Sequence, residues 1–214
     1  YFNIPMTSGK DSMKNDFKKG NVRISVPPTI LYSMVAKIDD VRKTNTSDFK
    51  KAGDLIYLVG KTYDELGASE FYALFGETGT KVPKVRPADA KRIYEKMAVA
   101  SERSLPASAH DISDGGLAVA LAESAFGGNK GCMIDIPESE IGVTAELFSE
   151  SHSRFVVSVP PENAPAFDAL FGDDCRCIGM VTEDNALHVI LEGEEVIRVR
   201  TAELLEAWRN GLNK

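Results

Sequence analysis

A pair of glycines between an acidic stretch and an apolar helix limits the architecture of this chain more than any other part of the sequence. Residues 110–117 read His-Asp-Ile-Ser-Asp-Gly-Gly-Leu, after a short strand predicted at 107–110. Residues 117–126 predict a helix of small and apolar side chains in which Glu123 is the only charge. A helix this uniformly apolar is usually buried on most of its sides. We therefore expect a core of helices and strands around it.

The acidic stretch is open to two interpretations. Gly115 and Gly116 let the backbone turn tightly and leave N–H groups accessible, and the start of a helix attracts phosphate. A magnesium ion bridging phosphate oxygens would suit the carboxylate of Asp111 or Asp114. The alternative is a simple helix cap, in which Ser113 or Asp114 bonds the first helical turn and the glycines ease the bend. The pattern alone does not separate the two.

Periodic patterns in the remaining sequence predict one α+β domain of up to three layers. The segment 154–181 reads as strand, helix and strand, the size of a βαβ or split βαβ element. Thr144 is predicted to cap a short helix at 144–148. Strands are predicted at 21–26, 29–38, 54–60, 107–110, 132–136, 154–159, 175–181, 187–191 and 196–199, and helices ending at 75, over 88–102, 117–126, 144–148 and 161–171, and from 201.

Composition narrows the range of functions. The formal net charge of −7 over 214 residues argues against a general nucleic-acid or anionic-membrane binder. No apolar run approaches the roughly 20 residues that span a bilayer. Three cysteines form no disulfide framework and suit a reducing cytoplasm. Because residue 1 is Tyr and no basic leader follows, we expect a piece of a longer chain.

Two further motifs carry candidate binding residues. Residues 7–13, Thr-Ser-Gly-Lys-Asp-Ser-Met, lack the upstream glycine of a P-loop, but Lys10 could pair with phosphate and Asp11 with a metal. The alternative is a polar turn. Residues 148–154, Phe-Ser-Glu-Ser-His-Ser-Arg, lead into a strand, and Glu150 and Arg154 could simply pair there.

The histidines and cysteines yield one candidate. His110, between a strand and the acidic stretch, could act as a ligand or proton donor. His152 and His188 are expected at the surface. Cys175 and Cys177 are too closely spaced for a zinc site and are read as strand residues.

The order of these motifs resembles the synthetase portion of the phosphoribosylformylglycinamidine synthase family, in the ATP-dependent superfamily that includes aminoimidazole ribonucleotide synthetase and selenophosphate synthetase. The matches span residues 5 to about 183. They lie at 8–13, 28–29, 38–41, 52–55, 65–69, 110–126, 148–151 and Arg154.

The resemblance implies a fold and a reaction. The fold is a three-layer α/β/α domain with a mixed sheet and split βαβ elements, with residues 1–20 the tail of a preceding N-terminal half and 21–214 the C-terminal half of a second repeat. The reaction is that of a carbon–nitrogen ligase of purine biosynthesis: formylglycinamide ribonucleotide, ATP and glutamine-derived ammonia give formylglycinamidine ribonucleotide. The implied partners are the N-terminal half, the first repeat, and a glutaminase domain or subunit.

The resemblance also assigns residues, with Asp111 preferred over Asp114 for Mg²⁺. Ala68 departs from the family, which usually has a second glycine there, and its methyl group would hinder close approach of a ligand. The assigned nucleotide or phosphate ligands are Lys10, Asp11, Ser12, Ser113, Asp114, Gly115 and Gly116, and the residues expected to line the cleft are Glu65, Ser69, His110, Glu150, Ser151 and Arg154.

Two alternatives to a catalytic role stay open. Ligands in this superfamily lie between the N-terminal and C-terminal halves. The chain alone is therefore expected to lack a complete set of catalytic residues and to be inactive. One of the two related nucleotide sites of such an enzyme holds ADP without turning it over, so this part could be a structural nucleotide-binding module. A third possibility is another superfamily member, such as selenophosphate synthetase.

Overall fold

The structure, a computed structural model, describes residues 1–6, 9, 16–25 and 31–211. Contacts divide the chain into two compact units, Tyr1–Val41 and Arg42–Lys214. The first unit contains an antiparallel hairpin of β1 (Phe17–Lys19) and β2 (Val22–Ile24). The domain boundary after residue 20 stays a prediction.

The strand predicted at 29–38 is wrong over residues 31–38, which form no strand. Their apolar side chains are largely exposed, with Val35 fully so. A segment rich in apolar and β-branched residues forms a strand when a sheet offers hydrogen bonds and a face to bury. In the described part of the first unit, residues 31–38 pair with no strand and bury no apolar face.

The second unit is built on a seven-stranded mixed sheet in the order β4-β6-β3-β7-β5-β8-β9. Most elements lie within a few residues of their predicted positions. The strands are β3 (Leu55–Val59), β4 (Ser108–Asp111), β5 (Gly131–Ile136), β6 (Phe155–Val159), β7 (Cys175–Thr182), β8 (Ala186–Leu191) and β9 (Glu194–Arg200), and the helices are α1 (Glu70–Ala73), α2 (Pro87–Glu102), α3 (Gly116–Gly128), α4 (Gly142–Phe148), α5 (Ala164–Phe171) and α6 (Thr201–Asn210).

The predicted split βαβ element is confirmed. Strands β6 and β7 are both antiparallel to β3, which lies between them, and α5 connects them. They are therefore parallel to each other across an inserted strand. β5 and β8 form the one directly parallel pair of this sheet, and β8 and β9 form the predicted hairpin.

Helices cover the sheet on both faces, which confirms the three-layer α+β expectation. Helix α3 packs on one face with α4 and α6, around Leu117, Leu121 and Ile134. Helices α2 and α5 pack on the other face, around Ile93 and Phe167. Helix α3 is buried along most of its length, as its composition predicts. No helix among the described residues is long and apolar enough to cross a membrane.

Two local predictions are wrong. Thr144 does not cap α4, which starts two residues earlier at Gly142 without a side-chain cap, because a turn from Ser139 leads directly into the helix. His188 is buried instead of exposed, since both its ring nitrogens lie beside carboxylates, 2.5 Å from Glu195 and 2.6 Å from Asp184. Burial alone would lower the pKa of His188, but these hydrogen bonds raise it above its usual value.

Candidate functional site

The acidic stretch lies at the edge of an open cavity in the second unit. Strand β4 ends at Asp111, Ile112 is buried, and α3 begins four residues later. The side chains of Asp111, Ser113 and Asp114 are exposed and line a cavity of about 350 Å³. The sequence thus places its acidic candidates together at a cavity large enough for a small ligand.

Glu150 also lines this cavity and links the starts of two helices. Its Oε1 accepts hydrogen bonds from the amide of Gly115, at 2.8 Å, and from the amide of Glu70, at 2.9 Å. One carboxylate oxygen therefore satisfies free N–H groups at the starts of α3 and α1. Negative charge is favoured at such positions by the helix dipole.

The helix-cap alternative for Ser113 and Asp114 is wrong. The residue before α3 is Gly115, with φ of 79°, and no side chain caps the helix from that position. Ser113 contributes only its backbone carbonyl, which accepts from the amide of Gly116 at 3.1 Å. The capping function is supplied by Glu150, 35 residues away in the sequence.

Gly115 and Gly116 are buried beside the cavity, and both amides have protein acceptors. A phosphate group in the cavity would first meet Asp111, Ser113 and Asp114. It would reach the Gly115 amide only if Glu150 moved. The role of the two glycines as phosphate ligands stays a prediction.

Arg154 organises the segment that carries Glu150. Its side chain is 1% exposed, and its guanidinium donates to the carbonyls of Ser149 and Ser151 and to the hydroxyl of Thr62. Burial lowers the pKa of Arg154 to about 10. The simple pair of Glu150 and Arg154 is wrong, because Arg154 holds the backbone on either side of Glu150 instead.

The remaining cleft candidates tie the loop after β3 to the same segment. The hydroxyls of Ser149 and Ser151 each accept a backbone N–H from that loop, those of Glu65 and Tyr63, both at 3.2 Å. Glu65, 4% exposed, pairs with Arg86 at 2.6 Å. Burial would raise the pKa of Glu65, but hydrogen bonds from Arg86 and Ser151 outweigh it and lower the pKa.

Two more candidates have clear structural partners. Ser69 is 2% exposed and caps α1, accepting from the amide of Tyr72 at 3.3 Å. His110 is half-buried, with Nε2 2.8 Å from Glu123 on α3 and Nδ1 3.5 Å from Asp111. His110 therefore lies between Glu123 of α3 and Asp111 of the acidic stretch, while Ser69 caps the start of α1.

The donor set for a divalent cation is incomplete within the described residues. They contain no cluster of three or more His, Cys, Asp or Glu side chains suited to a metal. Asp111 has a carboxylate that is 70% exposed at the cavity. Mg²⁺ commonly takes one or two carboxylates and completes its shell with substrate phosphates and water, so the residues fit Mg²⁺ together with a phosphate. Lys10, Asp11 and Ser12 lie outside the described residues.

Ala68 adopts a backbone conformation that glycine favours, with φ of 58°. A side chain in this region costs about 1 to 2 kcal/mol. We expect Ala68→Gly to raise the free energy of unfolding by about 0.5 to 1 kcal/mol, after the entropy that glycine adds to the unfolded chain. Urea unfolding measures the change. The control Ala98→Gly, on the exposed side of α2, should lower stability by about 1 kcal/mol. A lower free energy of unfolding for Ala68→Gly would show that the backbone at Ala68 is not strained.

Comparison with known proteins identifies relatives over nearly the whole chain. Residues 51–192 match the family described as AIR synthase related protein, C-terminal domain. The chain is 35% identical over 212 residues to phosphoribosylformylglycinamidine synthase subunit PurL of Alkaliphilus metalliredigens, covering 97% of this chain and 28% of that protein. The same subunit of Limosilactobacillus reuteri is 35% identical over 214 residues, covering 99% and 28%. The chain thus spans about 28% of the length of these relatives.

Solved structures share the fold. T. maritima PurL complexed with FGAR matches with a TM-score of 0.67 and 22% identity, over 77% of this chain and 30% of that one. The complex of T. maritima PurL with ATP matches with a TM-score of 0.62 and 20% identity, over 77% and 27%. At this identity the likeness establishes the architecture, and it agrees with the α/β/α layers and mixed sheet described above.

Proposed function

The chain belongs to the family described as AIR synthase related protein, C-terminal domain. We propose that it is part of a phosphoribosylformylglycinamidine synthase and that it comes from the second repeat of the synthetase. The identity of 35% to subunits of that name over nearly the whole chain is the observation that carries this proposal. It also favours this enzyme over other superfamily members. We propose that the enzyme is a ligase of purine biosynthesis and that it is located in the cytoplasm.

The proposed reaction joins ammonia to an amide carbon. ATP phosphorylates the amide oxygen of formylglycinamide ribonucleotide, and glutamine-derived ammonia then displaces the phosphate. Charge builds up on the transferred group, so cationic groups and a divalent ion offset it. Mg²⁺, when bound, would supply that charge beside the nucleotide phosphates.

This chain contributes one wall of the nucleotide site in the proposal. Asp111, with Asp114 beside it, holds the divalent ion, and Ser113 donates to a phosphate oxygen. Lys10, Asp11 and Ser12 are further nucleotide or phosphate ligands in the proposal. Glu150 and Arg154 hold the backbone of this wall in position. The buried hydrogen bonds of Arg154 support this role.

The other parts of the site come from partners. We propose that the N-terminal half, the first repeat, and a glutaminase domain or subunit complete the enzyme, and that this chain alone is inactive. The T. maritima protein whose structure contains FGAR is more than three times as long as the part matched here, which supports this division.

A structural nucleotide site is the second candidate function. The Gly115 amide is already bonded to a protein carboxylate, and the surrounding loops are held by buried hydrogen bonds. Such an arrangement suits a site that holds ADP in place without turnover. In that case the acidic cavity would stabilise the enzyme instead of reacting.

The substitution Asp111→Asn in the complete enzyme tests both candidates. For a catalytic site we expect kcat to fall at least about 100-fold with little change in melting temperature, because the ion that offsets phosphoryl charge is lost. A lower melting temperature with nearly unchanged kcat would indicate the structural site. Asp135→Asn, an exposed carboxylate on β5, is the matched control. If neither kcat, melting temperature nor ATP affinity changed, the assignment of Asp111 would be wrong.

A further inference from the structure

His188 is the one buried histidine among the described residues, and two carboxylates hold its ring. The residue is 5% exposed. Its Nδ1 lies 2.5 Å from Oε1 of Glu195, and its Nε2 lies 2.6 Å from Oδ2 of Asp184. A neutral imidazole has one N–H and one lone pair, whereas the protonated ring has two N–H groups. Both contacts are therefore hydrogen bonds only while the ring is charged.

The ring connects three segments at one end of the large sheet. His188 lies on β8, Asp184 in the turn before β8, and Glu195 on β9. Strand β9 is the last of the sheet and bonds only β8 among the described strands. The register of this pair shifts between Val189 and Ile190, and Ile190 lies opposite Glu195. The contact of Glu195 with the ring therefore holds an edge strand where its ladder is interrupted.

The two carboxylates differ in their other contacts. Asp184 also accepts a hydrogen bond from the hydroxyl of Thr182, at 2.6 Å. The next residue of the same turn, Asn185, accepts from the amide and the hydroxyl of Thr201 at the start of α6, at 2.9 and 3.0 Å. The Glu195 carboxylate has no further hydrogen bond or ion pair among the described residues. A ring that loses one proton can therefore keep Asp184 and lose Glu195.

Other charges around the ring make no contact with it in the described part of the chain. They lie beside His188 in the strand register or at the turn: Arg198 and Arg200 on β9, Asp135 on β5, and Glu183 with its partner Lys130. Burial disfavours the charged ring, but the hydrogen bonds to Glu195 and Asp184 outweigh it and raise the pKa of His188 above its ordinary value of about 6.5. The stabilisation is complete below that value and is lost as pH rises through the raised pKa.

We propose that His188 is a pH-dependent link that ties β9 to the sheet while its ring is protonated and releases β9 at Glu195 when the ring loses a proton. After deprotonation, Nδ1 faces the Glu195 carboxylate with a lone pair, and two acceptors at that distance repel each other. The Nε2–H group still donates to Asp184. Strand β9 then opens more often, while β5, which bonds strands on both sides, is unchanged. The link does not depend on the proposed function.

Two NMR measurements on the full chain, from about pH 6 to about pH 9, test the proposal. Ring nitrogen shifts follow the protonation of His188, and hydrogen exchange gives protection factors for the amides of each strand. We expect the ring to titrate above its ordinary pKa. The protection factors of the β9 amides should fall at least about three-fold across that titration, while those of β5 change by less than about two-fold.

Variants assign the effect to the contact with Glu195. Glu195→Gln should lower the midpoint of the ring titration, because it removes one of the two charges that favour the protonated ring. Glu194→Gln, the same change at the neighbouring exposed residue of β9, is the matched control and should lower it less. Equal midpoints in the two variants would overturn the proposal. So would a ring that titrates at or below about pH 6.5, or protection of β9 that stays constant while the ring titrates.

Discussion

Replacing Gly116 by alanine is expected to lower the free energy of unfolding by about 3 to 4 kcal/mol. Gly116 has φ of 71°, where a side chain is strained, and a Cβ atom there would lie 2.8 Å from the carbonyl oxygens of Leu147 and Ser149. Backbone atoms cannot rotate away as a side-chain end can. The first turn of α3 would therefore have to move off the segment that follows α4. Urea unfolding of the full chain measures the loss.

Gly142→Ala is the matched control, because it separates backbone strain from contact. Gly142 has φ of 76°, but a Cβ atom there would meet nothing within 4 Å. We expect a loss of about 0.5 to 1 kcal/mol, which is the strain less the entropy that glycine adds to the unfolded chain. Equal losses for the two variants would show that the close approach at Gly116 contributes nothing to stability.

The close approach at Gly116 also explains where Glu150 lies. The backbone at 147–149 rests against the first turn of α3, so the next side chain along the chain is brought to the Gly115 amide. A larger residue at position 116 would separate the Glu150 carboxylate from the Gly115 amide. The glycine pair therefore shapes the site through packing, in addition to any contact with a ligand.

Sequence patterns predict the elements of this fold well where the pattern is local. The apolar composition of 117–126 predicts a buried helix, and Pro87 marks the first residue of α2. The strand, helix and strand of 154–181 predict a βαβ or split βαβ element from their lengths, and the resemblance implies the split form that the structure has. The failure at 31–38 has a different cause, since the apolar residues there pair with no strand among the described residues.

The site was less predictable because its contacts join distant parts of the chain. Glu150 accepts one amide 35 residues away and another 80 residues away. A local cap from Ser113 or Asp114 was therefore the simpler hypothesis, but a glycine in the left-handed region precedes the helix. Another cavity of the second unit, of about 390 Å³, had no sequence signal, since Lys61, Arg86 and Arg176, which line it, lie in three separate elements or loops.

Replacing Arg154 by methionine is expected to lower the free energy of unfolding by about 3 to 5 kcal/mol, since it leaves buried acceptors without donors. Methionine has a similar length, so the change removes the charge and three hydrogen bonds without opening a large cavity. Arg154→Lys should lose less, because it keeps the charge but cannot reach all three acceptors at once.

Arg198→Met, on the exposed side of β9, is the matched control and should change stability by less than about 0.5 kcal/mol. Amide spectra provide a second measurement. Because Arg154 holds the backbone around Glu150, its loss should shift the resonances of Gly115 and Glu70, two amides that Arg154 itself does not bond. If Arg154→Met left both resonances in place, Glu150 would be positioned by the packing at Gly116 alone.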